Sequence, residues 1–317
     1  MGVRISRRLF LAGSAAPLFG AALGPRERVD RALNGRESDR PPISLWHHFG
    51  LENEGPEAHA KATLEFHRRY GTDLVKVMSD FPYPKPAGAW HILKPLDNPF
   101  APHIRALELI RDGLAGKAHF VETIFNPWNV AEKLSSKEEV QRMKKEQPQK
   151  LLDALEVIAK SEAAHARLAL KTGASGVFLA VANAQPDILS REDYRKFSEP
   201  FDRIVLQAAG GGPLNILHLH GDKVYVEHFW KGWPAAAINY SSHETGVPLA
   251  TARAQFSGVL LAGIDHRNYR TRTVEQLRAD AAAAAKACGR SFIMTPGCSV
   301  PNESTPPELE KLRSAVS

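Results

Sequence analysis

Short apolar runs alternate along this chain with longer stretches in which apolar residues recur every three or four positions. Runs with little polar interruption read as parallel strands covered on both faces. They occupy residues 43–46, 73–78, 119–125, 176–181, 214–220, 236–241, 258–264 and 291–297. Helical periodicity fills the gaps, over residues 59–70, 103–114, 137–171, 191–208, 223–231, 249–256 and 274–287, and a last helix, 307–315, follows the eighth run. Pro148 interrupts the third helix, and Ser190 with Asp193 three residues on reads as a capping box opening the fourth. Eight strands, each followed by a helix, predict an α/β fold, a single closed (β/α)₈ TIM barrel over residues 25–317. An open doubly wound sheet would carry a glycine-rich phosphate turn after its first strand. Gly210-Gly211-Gly212 precedes a strand instead and reads as a plain turn.

Ahead of that domain stands Arg4-Ile5-Ser6-Arg7-Arg8-Leu9-Phe10-Leu11, then apolar and small residues to about Leu23. A charged start, a short apolar centre and a small-residue end make a signal peptide. The centre is shorter than the roughly 20 apolar residues that span a bilayer, so no membrane span is expected in the mature protein. The paired arginines resemble the twin-arginine export signal. Residues 1–24 are therefore expected to direct the chain to the periplasm or another extracytoplasmic space. Gly20 and Ala22 supply a small-residue cleavage point after Ala22.

Composition changes this picture little. Hydrophobic residues make up 43% and charged residues 24%, ordinary values for a globular protein. The net charge of +6 owes half its size to Arg4, Arg7 and Arg8, and no basic stripe with interleaved aromatics remains. Nucleic acid is thus excluded as a partner, which leaves a small-molecule substrate. The two cysteines, Cys288 and Cys298, do not make a disulfide scaffold.

Reactive residues of such barrels sit just past the strand ends. Those positions hold Trp46, His47, His48, Asp80, Asn126, Trp128, Asn183, His218, His220, Asn239, His243, Asp265, His266 and Cys298. His218 and His220 stand two apart on one strand, so they point to the same side with Cα atoms about 6.5 Å apart. Cys298, at the end of the eighth run, can face them from across the barrel mouth. Two imidazoles and a thiolate suit zinc, with the fourth position free for substrate. The alternative is a pair of satisfied histidines beside a buried thiol.

Several segments resemble, in order, the uroporphyrinogen decarboxylase superfamily. These are Arg28-Val29-Asp30-Arg31-Ala32-Leu33 with Asp39-Arg40-Pro41-Pro42; Phe66-His67-Arg68-Arg69-Tyr70-Gly71-Thr72-Asp73 leading to Asp80; Gly173-Ala174 with Ile188-Leu189-Ser190-Arg191-Glu192-Asp193-Tyr194; and Thr295–Cys298 followed by Thr305-Pro306-Pro307-Glu308. The resemblance independently implies the barrel. It also implies a choice between two branches. Decarboxylases carry an arginine-rich R-Q-A-G-R-Y segment after the first strand, where this chain has Leu45-Trp46-His47-His48-Phe49-Gly50. Asp80 matches their catalytic aspartate. Their tyrosine after Pro-Trp-Thr is replaced near Lys133, and their closing Gly-His becomes Gly297-Cys298.

The other branch comprises zinc-dependent methyltransferases that act with methylcobalamin and thiols. Its H-x-C and P-G-C motifs are met here by His218-x-His220 and Pro296-Gly297-Cys298, with histidine in place of the middle cysteine. This branch implies zinc on His218, His220 and Cys298, a thiol or related nucleophile as substrate, and a corrinoid as candidate methyl donor. A corrinoid protein is then a candidate partner, and a homodimer a candidate assembly. Asp80, His243 and Asp265 are candidates for orienting substrate or moving a proton. Trp46, His47, His48, Asn126, Asn183 and His266 are candidates for lining the substrate site. The alternatives are uroporphyrinogen decarboxylation through Asp80, and a non-catalytic barrel that binds a tetrapyrrole or corrinoid.

Overall fold

A computed structural model describes residues 22–51 and 53–315. The expected export segment lies outside the described residues except for its last three positions.

Among the described residues seven strands form one parallel sheet in chain order: β1 (Leu74–Val77), β2 (His119–Phe125), β3 (Val177–Val181), β4 (Ile216–Leu219), β5 (Ala237–Tyr240), β6 (Val259–Ile264) and β7 (Phe292–Pro296). Nearly every strand residue is buried, which is why the runs show no polar alternation. Helices separate most consecutive strands, giving a TIM-barrel-like arrangement.

The first strand of the expected barrel is not there. Residues 43–46 make a single parallel bridge, Ile43 with Met294 of β7. The segment is nevertheless tied to both edges of the sheet. Met294 N–H donates to Pro42 O at 2.8 Å, Ser44 N–H donates to Met294 O at 3.0 Å, and Asp73 N–H donates to Ile43 O at 2.7 Å. Two features break its ladder. Pro41 and Pro42 have no N–H to give. The Ile43 N–H goes to the side chain of Asp73, at 2.9 Å, rather than to a strand carbonyl.

Most expected helices are present, some of them divided. The long third stretch splits into Lys137–Glu146 and Pro148–Lys171 at Gln147, because Pro148 can only begin a helix. The fourth splits into Arg191–Phe197 and Glu199–Ala208, where Pro200 plays the same part. Ser190 does accept the Asp193 N–H at 3.0 Å, but Asp193 pairs with Lys144 at 2.6 Å and does not complete a box. The helix expected over 223–231 is only a 3₁₀ turn, Val226–Phe229, in a stretch rich in aromatics and bounded by Gly221 and Gly232. An unexpected helix, Pro127–Leu134, follows β2, opened by Asn126, whose side chain accepts the Asn129 N–H.

Buried charge fastens the helices to the sheet. Glu122 of β2 lies between His103 of helix Ala101–Leu114 (2.7 Å) and His165 of helix Pro148–Lys171 (2.9 Å). Arg28 of the first helix, Pro25–Leu33, binds Asp39 at 2.8 Å and Asp73 at 3.0 Å. No helix among the described residues is long and apolar enough to cross a membrane.

Candidate metal centre and substrate cavity

His218 lies in β4, and His220 follows one residue past its end. Cys298 stands two residues beyond β7. The sheet brings the three together: His220 Nδ1 is 3.2 Å from Cys298 Sγ, and His218 Nε2 is 3.7 Å from it. One ligand atom from each residue lies within 4.8 Å of the other two. Two donors on one tetrahedral zinc stand roughly 3.5 Å apart, given bonds of about 2.0–2.3 Å. The donor types and the spacing therefore fit zinc.

The residues around the cluster fix its chemistry. Asn239 of β5 stands directly opposite His218 in the sheet register, and its Oδ1 is 2.6 Å from His218 Nδ1. The Asn239 amide nitrogen donates to Leu261 O, Pro296 O and Thr295 Oγ1, which fixes the carbonyl side toward the histidine. His218 Nδ1 must then carry a proton, which leaves Nε2 as the nitrogen that faces Cys298 and would bind a metal. Phe178 of β3 stacks on the His218 ring, with centroids 5.0 Å apart. Burial raises the Cys298 thiol pKa, but bonds and charge from His218 and His220 outweigh it and bring the value down to about 4. Cys298 is thus held as thiolate, the form that binds metals. The bond to Cys298 in turn raises the pKa of His220 against the opposing effect of burial.

The cluster opens on a cavity of about 380 Å³. Lys76 of β1 lines it, buried between the rings of Trp46 and Phe178 with Nζ 5.6 and 4.8 Å from their centroids. Its one hydrogen-bond acceptor among the described residues is the sulfur of Met78, at 3.0 Å. Lys133, from helix Pro127–Leu134, lines the opposite wall over the ring of Phe125. Burial lowers both lysines to about 8. No arginine lines the cavity.

The chain matches the family profile "Uroporphyrinogen decarboxylase (URO-D)" over residues 82–317, about three-quarters of its length. It belongs to the uroporphyrinogen decarboxylase family. No curated protein matches it. Among solved structures it is similar to a methyltransferase from Methanosarcina mazei, with a TM-score of 0.76 at 17% identity over 92% of this chain and 98% of that one. A B12-independent methionine synthase from Shewanella sp. W3-18-1 follows at 0.59 and 11%, covering 87% of this chain and 91% of that one. A putative enzyme of the same title from Listeria monocytogenes gives 0.57 and 12%, over 87% and 94%. At these identities the likeness is one of fold.

In this member of the uroporphyrinogen decarboxylase family the strand-end residues divide sharply. Trp46, His48, His218, His220 and Cys298 line the cavity. His47 turns the other way and packs against Phe49 and Phe66, with centroids 4.9 and 5.2 Å away. Asp80 lies behind His48, its Oδ1 3.1 Å from the ring Nδ1. Asn126 and Asn183 are fully buried and bonded to each other at 2.8 Å. They belong to a network with Ser198, Tyr194 and Asp202, whose carboxyl burial pushes up to about 7. His243 and Asp265 stand 4.0 Å apart, and the Asp265 carboxylate accepts the N–H groups of Arg267 and Asn268 to shape a turn. His266 is buried 3.6 Å from Glu244. The fold therefore brings none of Asn126, Asn183, His243, Asp265 and His266 to the cavity wall. Lys76, Met78, Thr123, Phe178 and Lys133 line it without having been expected there. A lysine inside the apolar run Leu74-Val75-Lys76-Val77-Met78 was the one readable signal, since lysine is almost never buried without a purpose.

Proposed function

We propose that His218, His220 and Cys298 hold a zinc ion and that the protein is a methyltransferase acting on a small thiol. The observation that carries this reading is the convergence of two imidazole nitrogens on the Cys298 thiolate at 3.2 and 3.7 Å, at the wall of a cavity. Bound zinc would act as a Lewis acid, lowering the pKa of a substrate thiol at its open position. Asn239 holds the His218 ring in the ligating tautomer. Lys76 and Lys133 supply positive charge unmatched by a carboxylate bond among the described residues, which favours a thiol that also carries an anionic group. Methyl transfer forms a bond from the substrate sulfur to the methyl carbon as the bond from that carbon to the donor breaks. A corrinoid, the donor that the resemblance of His218-x-His220 and Pro296-Gly297-Cys298 implies, is our candidate.

Decarboxylation of uroporphyrinogen fits less well. Three lysines and no arginine line the cavity, too few cations for eight carboxylates, and Asp80 lies behind His48 rather than at the wall.

Metal analysis tests the proposal directly. The purified protein should carry about one zinc per chain. His218→Ala, His220→Ala and Cys298→Ala should each lose it, His47→Ala should keep it, and His220→Cys should keep it by supplying a thiolate in the same place. A protein that neither holds zinc nor takes it up on addition would end this reading.

A further inference from the structure

We propose that His48, held by Asp80, is the base that takes the proton from a thiol entering the cavity. This inference rests on the thiol reading above and adds a step to it. A thiol arriving as RS–H must lose its proton: the S–H bond breaks, the electron pair stays on sulfur, and the proton needs an acceptor.

His48 lines the same cavity as the His218–His220–Cys298 cluster. Its Nδ1 is 3.1 Å from Asp80 Oδ1. Burial would raise the Asp80 pKa, but the hydrogen bond from His48 and nearby positive charge, Lys76 included, outweigh it, so the group is a carboxylate and can only accept. His48 Nδ1 therefore carries the ring proton, and Nε2 is left with a lone pair and no hydrogen bond among the described residues. This is the geometry of a carboxylate-oriented general base.

The surroundings of Asp80 support the same reading. His59 stands behind it, with Nδ1 3.9 Å from Asp80 Oδ2, but its Nε2 is 2.8 Å from Leu51 O and must donate there. Oδ2 is buried with no hydrogen-bond partner among the described residues. A carboxylate serving only to brace a loop would satisfy both oxygens. A half-satisfied carboxylate gains most when the His48 imidazole bonded to it becomes a cation, because that bond is then charge-assisted.

The other charged groups facing the cavity do not serve. Lys76 of β1 and Lys133 of helix Pro127–Leu134 sit at about 8 and hold their protons at neutral pH. The Glu132 oxygens accept from Trp128 at 2.8 Å and Asn129 at 3.2 Å. His218, His220 and Cys298 are committed to one another. His48 has 36% of its side chain exposed, so the proton can leave to solvent after turnover.

Proton counting tests the inference without an activity assay. Zinc-loaded protein is titrated with 2-mercaptoethanol at neutral pH by calorimetry, in buffers of differing ionisation enthalpy. The wild type should release few protons to the buffer, because His48 keeps them. His48→Gln should release about one per thiol bound, and Asp80→Asn, which leaves the imidazole in place without its partner, should move toward the same value. Equal zinc content in all three proteins shows that the site itself is intact. A wild-type count near one overturns the role of His48 while leaving the thiol reading standing. No thiol binding to zinc-loaded wild type overturns both.

Discussion

A histidine serves a metal well only when its second ring nitrogen is engaged, and in this chain Asn239 engages that of His218. Removing the amide frees Nδ1, lets the ring turn, and strips donors from Leu261 O and Pro296 O at the sheet edge. Asn239→Ala should therefore weaken zinc binding by about 10- to 100-fold, as measured by competition with a chelating dye. An unchanged affinity would show that Phe178 stacking alone positions His218. This partner illustrates which residues the sequence discloses. His218, His220 and Cys298 were legible because period-two alternation puts two histidines on one face and a strand-end cysteine opposite. Asn239 was visible only as one polar strand-end residue among many, since its pairing depends on the β4–β5 register. Asn126 and Asn183 looked equally promising and instead bond each other inside the core.

Elements were more legible than their boundaries. Seven of the eight apolar runs became strands, because burial on both faces leaves an unmistakable run without alternation. The remaining run, 43–46, is as apolar as the others, but Pro41, Pro42 and the Asp73 side chain deny it a regular ladder. Beside that segment, the turn after β7 must pass close to Ser241 to set Cys298 beside the histidines. Gly297 permits that approach. A methyl group there would stand 2.5 Å from the Ser241 Cα, a backbone atom that cannot swing aside. Gly297→Ala should cost about 1–3 kcal/mol in denaturant unfolding and weaken zinc binding by displacing Cys298. Gly211→Ala, with nothing within 4 Å of the new methyl, should leave both unchanged. If the two variants behave alike, the close passage does not position the thiolate.

At the scale of the whole molecule, the first described residues are already tied into the fold. The helix Pro25–Leu33 packs against β1, β2 and β7, and its Arg28 reaches the buried Asp73 carboxylate. Arg26 N–H donates to Lys117 O at 3.1 Å, and Leu23 N–H reaches Asp39 at 3.4 Å. Cleavage after Ala22 would therefore remove none of these contacts. The Arg7-Arg8 pair and the apolar run after it are read from the sequence alone. We propose that this segment exports the protein by the twin-arginine route, which carries folded chains. A fusion of residues 1–30 to a reporter should then appear outside the cytoplasm, and full-length protein recovered there should begin at Leu23. Changing Arg7 and Arg8 together to lysine should hold both in the cytoplasm, because the positive charge is kept while the paired guanidinium groups are lost. The retained full-length protein should still bind zinc, since every ligand lies in the packed domain. Export that survives the double substitution would remove the twin-arginine assignment, whereas loss of zinc in the retained protein would mean that the domain does not fold before it leaves.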